Sequence, residues 1–243
     1  MYPVKQSITV DGYDGDDEDW YRLRQQFTSY ENSALSLLLV DDEKFLYVYL
    51  RVKDSSIVYR NPRYIPLDSS DHIRIEYIDK HNNHKRLVLL TEGQGNVSVY
   101  EVTKDWRTWK NGHHINAVNG IWRETDTGYD IELKLPKKWL EPNHRLSLSV
   151  VDVFGENERN PDTIVSTHRL DNNALNPLLF QSHEISSVIK NLSEFDSRIC
   201  VIDKYRRIRA VIGGQQISSS FCQSNDKVSE KWANNVLAGN GQV

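Results

Sequence analysis

The stretch KFLYVYLRVKD, residues 44–54, decides the fold because its apolar side chains alternate. Successive side chains of a β-strand point to opposite faces of the sheet, so residues two apart share a face. One face of this segment carries Leu and Val at the even positions, and the other carries three aromatic residues and Arg51. Because bulky side chains occur on both faces, the pattern predicts a central strand that is covered on both sides.

A second alternating stretch, residues 129–135, has a different character. Its odd positions are apolar, whereas Asp130, Glu132 and Lys134 lie between them. This pattern is typical of a strand with one buried face and one face in solvent. We therefore predict that the three charged side chains are exposed.

The same period of two recurs along most of the chain. The further predicted strands are residues 7–10, 34–40, 71–78, 85–91, 97–102, 120–124, 145–153 and 164–168. Turn-forming pairs such as Asp11-Gly12, Asn111-Gly112 and Thr127-Gly128 separate many of these segments. Many short strands joined by turns predict a mainly β protein, an antiparallel β-sandwich.

The periodicity changes after about residue 176. Residues 182–195 place apolar side chains at helical spacing, with Ser182 available as the N-cap. Residues 198–203 and 207–212 then predict a hairpin, and residues 226–238 predict a short amphipathic helix. We therefore expect a sandwich over residues 1–170, a helix-and-hairpin appendix over 171–214 and a polar tail over 215–243.

The composition excludes some classes of protein. The 30 basic and 34 acidic residues are interspersed, so the sequence predicts no cationic face for a nucleic acid. The longest mostly apolar run, residues 34–40, is much shorter than the roughly 20 residues of a membrane helix. No basic and apolar leader follows Met1. The chain as it stands is expected neither to span a membrane nor to carry an export signal.

Sequence signatures of catalysis are absent. The chain has no nucleophile elbow, P-loop, dinucleotide-binding fingerprint, zinc-protease motif or calcium hand. Carboxylates abound, but no pair lies in a recognisable catalytic context, so no enzymatic activity is predicted. Cys200 and Cys222 fit no zinc pattern and leave either a disulfide or two buried thiols open.

An acidic run near the N-terminus offers oxygen ligands for a cation. Asp14, Asp16 and Asp17 are candidates for binding calcium in a surface loop. Their spacing matches no fixed ligand loop, so a solvated turn remains the alternative.

Aromatic residues beside polar ones suggest a ligand-binding surface. Trp106 and Trp109 lie in a predicted loop, His113 lies in a predicted turn after them, and Tyr59 and Arg60 lie in another loop. Aromatic faces with adjacent polar groups can stack on and hydrogen-bond a sugar ring. The alternative is that the two tryptophans only anchor and cap the edge of the core.

Several motifs in a fixed order resemble a known family. They are ITVDG (8–12), DDEDW (16–20), KFLYVYLRVKD (44–54), DHIRIEY (71–77), WRETDTGYDIELKLP (122–136) and LSVVDV (148–153). Together they resemble the carbohydrate-binding family 9 and DOMON-like sandwich over about residues 7–170. The resemblance implies a sandwich that traps a sugar between aromatic side chains and binds calcium near its edge.

The remaining motifs resemble a narrower group. IVSTHRL (164–170), NPLLFQSHEISSVIKNL (176–192) and SRICVIDKYRRIRAVIGG (197–214) are similar to the membrane-proximal end of a histidine kinase sensor region. The best match is the proteobacterial dedicated sortase system histidine kinase type. This resemblance implies an excerpt between two membrane helices, on the periplasmic side of the inner membrane, in a protein that forms a homodimer.

The implied function is the sensing of an extracytoplasmic cue, which is a glycan, a peptide or a protein. The chain has no phosphoacceptor His-Glu box and no ATP-binding boxes, so any kinase core lies outside it. The alternative is a carbohydrate-binding module of a secreted glycoside hydrolase.

Overall fold

The computed structural model describes residues 2–4, 7–13, 27–155, 159–167, 175–178, 199–202 and 208–212. The chain divides into two compact units, residues 4–176 and residues 1–3 with 177–243. The strands are β1 (Tyr2–Pro3), β2 (Thr28–Tyr30), β3 (Leu35–Asp41), β4 (Phe45–Lys53), β5 (His72–Ile78), β6 (His84–Leu90), β7 (Gly95–Asn96), β8 (Ser98–Val102), β9 (Trp109–His114), β10 (Asn119–Thr125), β11 (Gly128–Pro136), β12 (Arg145–Phe154), β13 (Asn160–Ser166), β14 (Asn176–Pro177), β15 (Ile199–Ile202) and β16 (Ile208–Ile212). A short 3-10 helix spans Lys137–Trp139.

The larger unit is a sandwich of two antiparallel sheets, as the alternation predicts. The first sheet has the order β3-β4-β11-β10-β7, with β2 also paired to β3. The second sheet has the order β13-β12-β5-β6-β8-β9. Each sheet has six strands within this unit, so the predicted mainly β, antiparallel fold is confirmed.

The core lies between the inner faces of the two sheets. β4 lies between β3 and β11, and both of its faces are buried, which confirms the predicted central strand. The inner face of β11 carries Ile131 and Leu133, which are fully buried. From the second sheet, Ile73 and Ile75 are equally buried. Each such side chain contributes about 1.5–3 kcal/mol by leaving water.

The outer face of β11 contradicts the sequence prediction. Asp130 is only 8% exposed and Glu132 is fully buried, although the alternation placed both in solvent. The segment over residues 7–13 covers this face, because the backbone N–H groups of Asp11 and Gly12 donate to Oε2 of Glu132 at 3.0 and 2.9 Å. That segment is not a strand, so the predicted strand over residues 7–10 is also wrong.

A predicted loop and the turn that follows it form a strand in the structure. Residues 109–114, predicted as loop and turn, form β9 and pair with β8. The pair Asn111-Gly112 therefore lies inside a strand, at the place where the register between β8 and β9 shifts. Its turn-forming composition coincides with an irregularity of the pairing and not with a turn between strands.

The smaller unit contains the predicted hairpin. β15 and β16 pair antiparallel, with Ile199 opposite Ile212. The predicted helices over residues 182–195 and 226–238 lie outside the described residues, as does Cys222. Among the described residues, no helix has the length and apolarity needed to cross a membrane.

Candidate metal centre and ligand-binding face

Three aspartates from separate strands converge at one end of the sandwich. Asp54 follows β4, Asp71 precedes β5, and Asp152 lies near the end of β12. One carboxylate oxygen from each lies within 4.8 Å of the other two. We call these three residues the aspartate triad. Because β4 belongs to the first sheet and the other two strands to the second, the triad links the two sheets.

Asp71 is the most rigidly held member of the aspartate triad. It is 2% exposed. Its Oδ2 accepts a hydrogen bond from the N–H of Val58 at 2.6 Å, and its Oδ1 accepts one from the N–H of Val153 at 2.8 Å. Both oxygens are therefore fixed in orientation, and the carboxylate joins the loop after β4 to the end of β12.

The electrostatics of the aspartate triad are unfavourable for three bare negative charges. Burial raises the pKa of Asp71 to about 8; the two backbone hydrogen bonds oppose this shift, and the charges of Asp54 and Asp152 add to it. Burial also raises the pKa of Asp152, with Asp54 and Asp162 adding to the effect. Among the described residues, no Lys or Arg forms an ion pair with the triad. The cluster is therefore stabilised by a proton or by a bound cation.

The donor set suits calcium. Calcium takes oxygen ligands at about 2.3–2.6 Å, so two oxygens on one ion are at most about 5 Å apart. The spacing in the aspartate triad falls within that limit. In addition, Oδ2 of Asp54 is buried and has no hydrogen-bond partner among the described residues. These three residues could hold the ion, which would supply the missing positive charge.

The calcium candidates from sequence, Asp14, Asp16 and Asp17, lie outside the described residues. The aspartate triad was missed, although each member lies at or next to one end of a motif: KFLYVYLRVKD, DHIRIEY and LSVVDV. The sequence signal was an aspartate just after β4, another just before β5 and a third near the end of β12. It could not be read as one site without knowing that those strand ends meet.

The outer face of the second sheet carries the aromatic candidates. Arg74, Val88, Tyr100 and His114 lie opposite one another on β5, β6, β8 and β9. The hydroxyl of Tyr100 hydrogen-bonds Nε2 of His114 at 2.8 Å, and their ring centroids are 4.5 Å apart. This row forms one surface because residues opposite each other across neighbouring strands share a face.

Both tryptophans lie on this surface. Trp106 and Trp109 are partly buried against a small cluster formed by Leu67, Val88, Leu90 and Val102. The guanidinium carbon of Arg74 lies 4.8 Å from the centroid of Trp106, and Tyr100 lies 6.0 Å from Trp109. Each tryptophan therefore caps an apolar cluster and is only partly buried. We call Arg74, Tyr100, Trp106, Trp109 and His114 the aromatic face.

The loop over residues 57–70 contacts the aromatic face. The N–H of Leu67 donates to the carbonyl of Arg107 at 3.0 Å. Nε of Arg107 lies 3.3 Å from Oδ1 of Asp68. The loop is thus held to the segment between the two tryptophans at one point and to the aspartate triad, through Val58, at another.

Of the other predicted site residues, Arg60 lies in the loop over residues 57–70 and interacts electrostatically with Tyr100 of the aromatic face. The side chain of Tyr59 lies elsewhere, and that of His113 is not described. The Tyr59 hydroxyl donates to Glu124, and the Tyr59 ring lies 6.5 Å from that of Trp122, beside the first sheet. Arg60 donates to the carbonyl of Pro66 at 2.8 Å and to Ser69 Oγ at 3.1 Å, and burial lowers its pKa. His113 lies in β9, and its side chain is outside the described part of the chain.

Sequence reasoning missed Arg74 and His114 as members of the aromatic face. Arg74 alternates with the core residues of DHIRIEY, so its outward direction could have been read from the pattern. Its position under Trp106 could not, because the two residues lie on segments more than 30 positions apart.

Fold and site together define a two-sheet antiparallel β-sandwich with a carboxylate cluster at one end and an aromatic face on one sheet. Neither the known protein families nor the curated proteins contain a match to this sequence. The solved structures that are similar to it include two that are both described as a carbohydrate binding module family 9 (CBM9) from Caldicellulosiruptor kristjanssonii. The complex with cellotriose is 14% identical, covering 71% of this chain and 86% of that one, with a TM-score of 0.49. The complex with glucose is 16% identical, covering 73% and 90%, with a TM-score of 0.48.

At these identities and TM-scores, the comparisons assign neither a family nor a ligand to this chain. They do not test the resemblance to histidine kinase sensor regions, which stays a prediction.

Proposed function

We propose that this chain is a non-catalytic, calcium-dependent glycan-binding sandwich that serves as the periplasmic sensor region of a membrane-bound histidine kinase. The observation that carries glycan binding is the aromatic face, where Trp106 and Trp109 are only partly buried and lie beside Arg74 and Tyr100. The sensor context is supported by the sequence resemblance of residues 164–214.

The chemistry of the aromatic face suits a sugar. One side of a pyranose ring is lined by C–H groups, which stack on the flat face of an indole ring. The hydroxyls of the same sugar need donors and acceptors around the rim. Arg107, whose side chain is 56% exposed, and Asp68 provide charged partners beside the tryptophans.

Calcium would act on the ligand site through the loop over residues 57–70. Asp54 and Asp71 flank this loop, and Asp71 holds its first turn through Val58. The same loop carries Leu67 and Asp68 against the aromatic face. A cation at the aspartate triad would therefore hold the loop in the arrangement that forms the sugar site. Without the cation, we expect weaker sugar binding as well as lower stability.

Signal transmission would be a population shift between two arrangements of a homodimer. A ligand shifts such an equilibrium only by its difference in affinity for the two states. Kinase activity would belong to a part of the protein outside residues 1–243. The alternative, a module of a secreted glycoside hydrolase, differs in gene context, because it needs no flanking membrane segments and no kinase core.

Glycan binding is tested with a glycan array followed by titration calorimetry on the full chain. Trp109→Ala and Trp106→Ala should each weaken binding by about fivefold or more, because a stacked aromatic ring contributes about 1 kcal/mol or more. Trp139→Ala is the matched control, since Trp139 stacks on Tyr77 outside the aromatic face. An array without a glycan hit, or equal loss in the control, would reject the proposal.

Calcium binding is tested separately by thermal shift and calorimetry with calcium and with a chelator. Asp54→Asn and Asp152→Asn should abolish the calcium-induced rise in Tm. Asp162→Asn is the matched control, because Asp162 is exposed and near Asp152 but outside the aspartate triad. An unchanged Tm on adding calcium would remove calcium from the proposal and leave glycan binding to be judged by its own experiment.

A further inference from the structure

A pocket lies at the end of the sandwich opposite to the aspartate triad. β5 begins next to Asp71 of the triad and ends at Ile78, where the pocket lies. One wall is the turn between β5 and β6, and the other is the segment over residues 137–142 after β11. We call the space between these two segments the end pocket. Its volume is about 680 Å³, within the usual range for small-molecule sites.

Hydrogen bonds hold the two walls of the end pocket in place. Oδ1 of Asp79 accepts the backbone N–H groups of His81 and Asn83 at 2.9 and 2.8 Å, which fixes the turn between β5 and β6. Nδ2 of Asn143 donates to the carbonyl of Asp79 at 2.9 Å, and so ties the chain after residue 142 to the same turn. The walls are therefore formed before a ligand binds, which lowers the entropic cost of binding.

Two aromatic rings form the apolar part of the end pocket. The ring of Trp139 is stacked on that of Tyr77, with centroids 5.9 Å apart and planes 9° apart. Tyr77 is buried, whereas Trp139 is only partly buried, and both line the pocket. Tyr77 therefore holds the plane of the indole ring. A flat aromatic ligand gains from packing against such a surface, through stacked or edge-to-face contacts.

Charged side chains of both signs surround these rings. Lys80, Lys138 and Glu141 line the end pocket and are exposed. Lys85 also lines it, but its Nζ already lies 2.8 Å from Oε1 of Glu101. Among the described residues, no side chain forms an ion pair or a hydrogen bond with the side chains of the three exposed residues. The rim therefore offers two ammonium groups and one carboxylate to a ligand that carries charges of both signs.

We propose that the end pocket binds a free aromatic amino acid. The ring of the ligand packs against Trp139 and Tyr77. Its carboxylate pairs with Lys80 or Lys138, and its ammonium group pairs with Glu141. Among the described residues that line the pocket, none is Ser, Thr, Asn or Gln, so the hydroxyls of a neutral sugar would find few partners. The site shares no residue with the aromatic face and does not depend on glycan binding.

Ligand-observed NMR titration of the full chain with L-phenylalanine and L-tryptophan tests the assignment. We expect at least one of them to bind, and neither L-leucine nor D-glucose to displace it. Two analogues of each amino acid remove one charge at a time. The acids 3-phenylpropionate and indole-3-propionate lack the ammonium group, and the amines 2-phenylethylamine and tryptamine lack the carboxylate. Each analogue should bind about threefold or more weakly than its parent, because one ion pair is lost.

Variants of the chain test the residues that form the end pocket. Trp139→Ala should weaken amino acid binding by about fivefold or more, because the stacking surface is lost. The double variant Lys80→Glu with Lys138→Glu should weaken it by about tenfold, because it reverses two exposed charges without touching the core. Glu141→Gln should remove the preference for the amino acid over the acid that lacks the ammonium group.

Matched controls make the test specific. Lys53→Glu reverses an exposed lysine at the end of β4, outside the end pocket, and should leave amino acid binding unchanged. Trp109→Ala removes part of the aromatic face and should also leave it unchanged. The Tm of each variant shows whether it is folded, and the double lysine variant decides the question if Trp139→Ala is unstable.

Three results would overturn the proposal. The first is that neither L-phenylalanine nor L-tryptophan binds. The second is that the acid and amine analogues bind as tightly as the parent amino acids, which would show an apolar pocket without recognition of charge. The third is that the double lysine variant, although folded, binds the amino acid as tightly as the unsubstituted chain does.

Discussion

Two groups of buried carboxylates differ in what compensates their charge. On the outer face of the first sheet, Asp130 lies between Arg51 and Arg123, and Glu132 accepts two backbone N–H groups. In the aspartate triad, three carboxylates lie together, and among the described residues they accept backbone N–H groups but form no ion pair with a Lys or an Arg. In the first region, other residues of the chain compensate the charge of the carboxylates, whereas the carboxylates of the second region need a proton or a cation. This difference is why we assign the triad, and not the outer face, to a metal.

The largest expected difference between the two regions is in how they make stability depend on pH. Burial raises the pKa of Asp71 from its usual 3.8 to about 8, so between these values the folded chain holds a proton that the unfolded chain has lost. In chelator, the free energy of unfolding should therefore fall as pH rises through this interval, by at most about 1.4 kcal/mol per pH unit. Calcium requires the deprotonated carboxylates, so it should flatten this fall. Urea unfolding across the interval, with calcium and with chelator, measures both slopes.

Asp71→Asn is the control for this slope. It keeps a similar shape but cannot titrate, so its slope in chelator should be shallower than that of the unsubstituted chain. If the free energy of unfolding in chelator rises with pH, Asp71 does not cause the pH dependence. The same conclusion follows if Asp71→Asn leaves the slope of that free energy against pH unchanged.

Removing the Asp71 side chain should cost about 3 kcal/mol or more in the free energy of unfolding. Asp71→Ala leaves the N–H groups of Val58 and Val153 buried without an acceptor, and each such group costs about 1–3 kcal/mol. The measurement is urea unfolding in chelator at a pH well below 8, where metal and charge effects are small. Asp162→Asn, at an exposed position, should change stability by less than about 0.5 kcal/mol. A loss of similar size in both variants would mean that the two hydrogen bonds do not matter.

Glu132→Ala should cost somewhat less, about 2 kcal/mol. The substitution leaves the N–H groups of Asp11 and Gly12 without their acceptor, but the covering segment is short and can partly move into water. Glu132→Gln keeps one acceptor oxygen and should lose about half as much. Equal stability of Glu132→Ala and the unsubstituted chain would show that residues 7–13 do not need this anchor.

Both regions show what the sequence could and could not predict. The central position of β4 was predictable because both faces of residues 45–52 carry bulky side chains. The inner face of β11 was predictable for the same reason. Its outer face was not, because Asp11 covers Glu132 from a position 121 residues away in the chain, and alternation within a strand carries no information about such a cover.

The aspartate triad could not be predicted from the sequence for a related reason. Each aspartate was visible as part of a motif, but the register and order of β4, β5 and β12 bring the three together. The aromatic face was partly predictable, since Trp106 and Trp109 stood out as a pair, with Tyr100 nearby in sequence. Arg74 joins them only through the pairing of β5, β6 and β8.

The smallest expected effect comes from the hydroxyl of Tyr49, because Asp130 has other partners. Tyr49→Phe removes one hydrogen bond of 3.1 Å from a carboxylate that Arg51 and Arg123 also stabilise. We expect a loss of about 1 kcal/mol in urea unfolding, because a hydrogen bond to a charged group is worth somewhat more than a neutral one but the charge stays paired. Tyr59→Phe is the control, since its hydroxyl donates to the exposed Glu124 and should matter less. If Tyr49→Phe instead costs as much as Asp71→Ala, the arginines do not compensate Asp130. The buried carboxylate of the outer face would then be no better compensated than those of the aspartate triad.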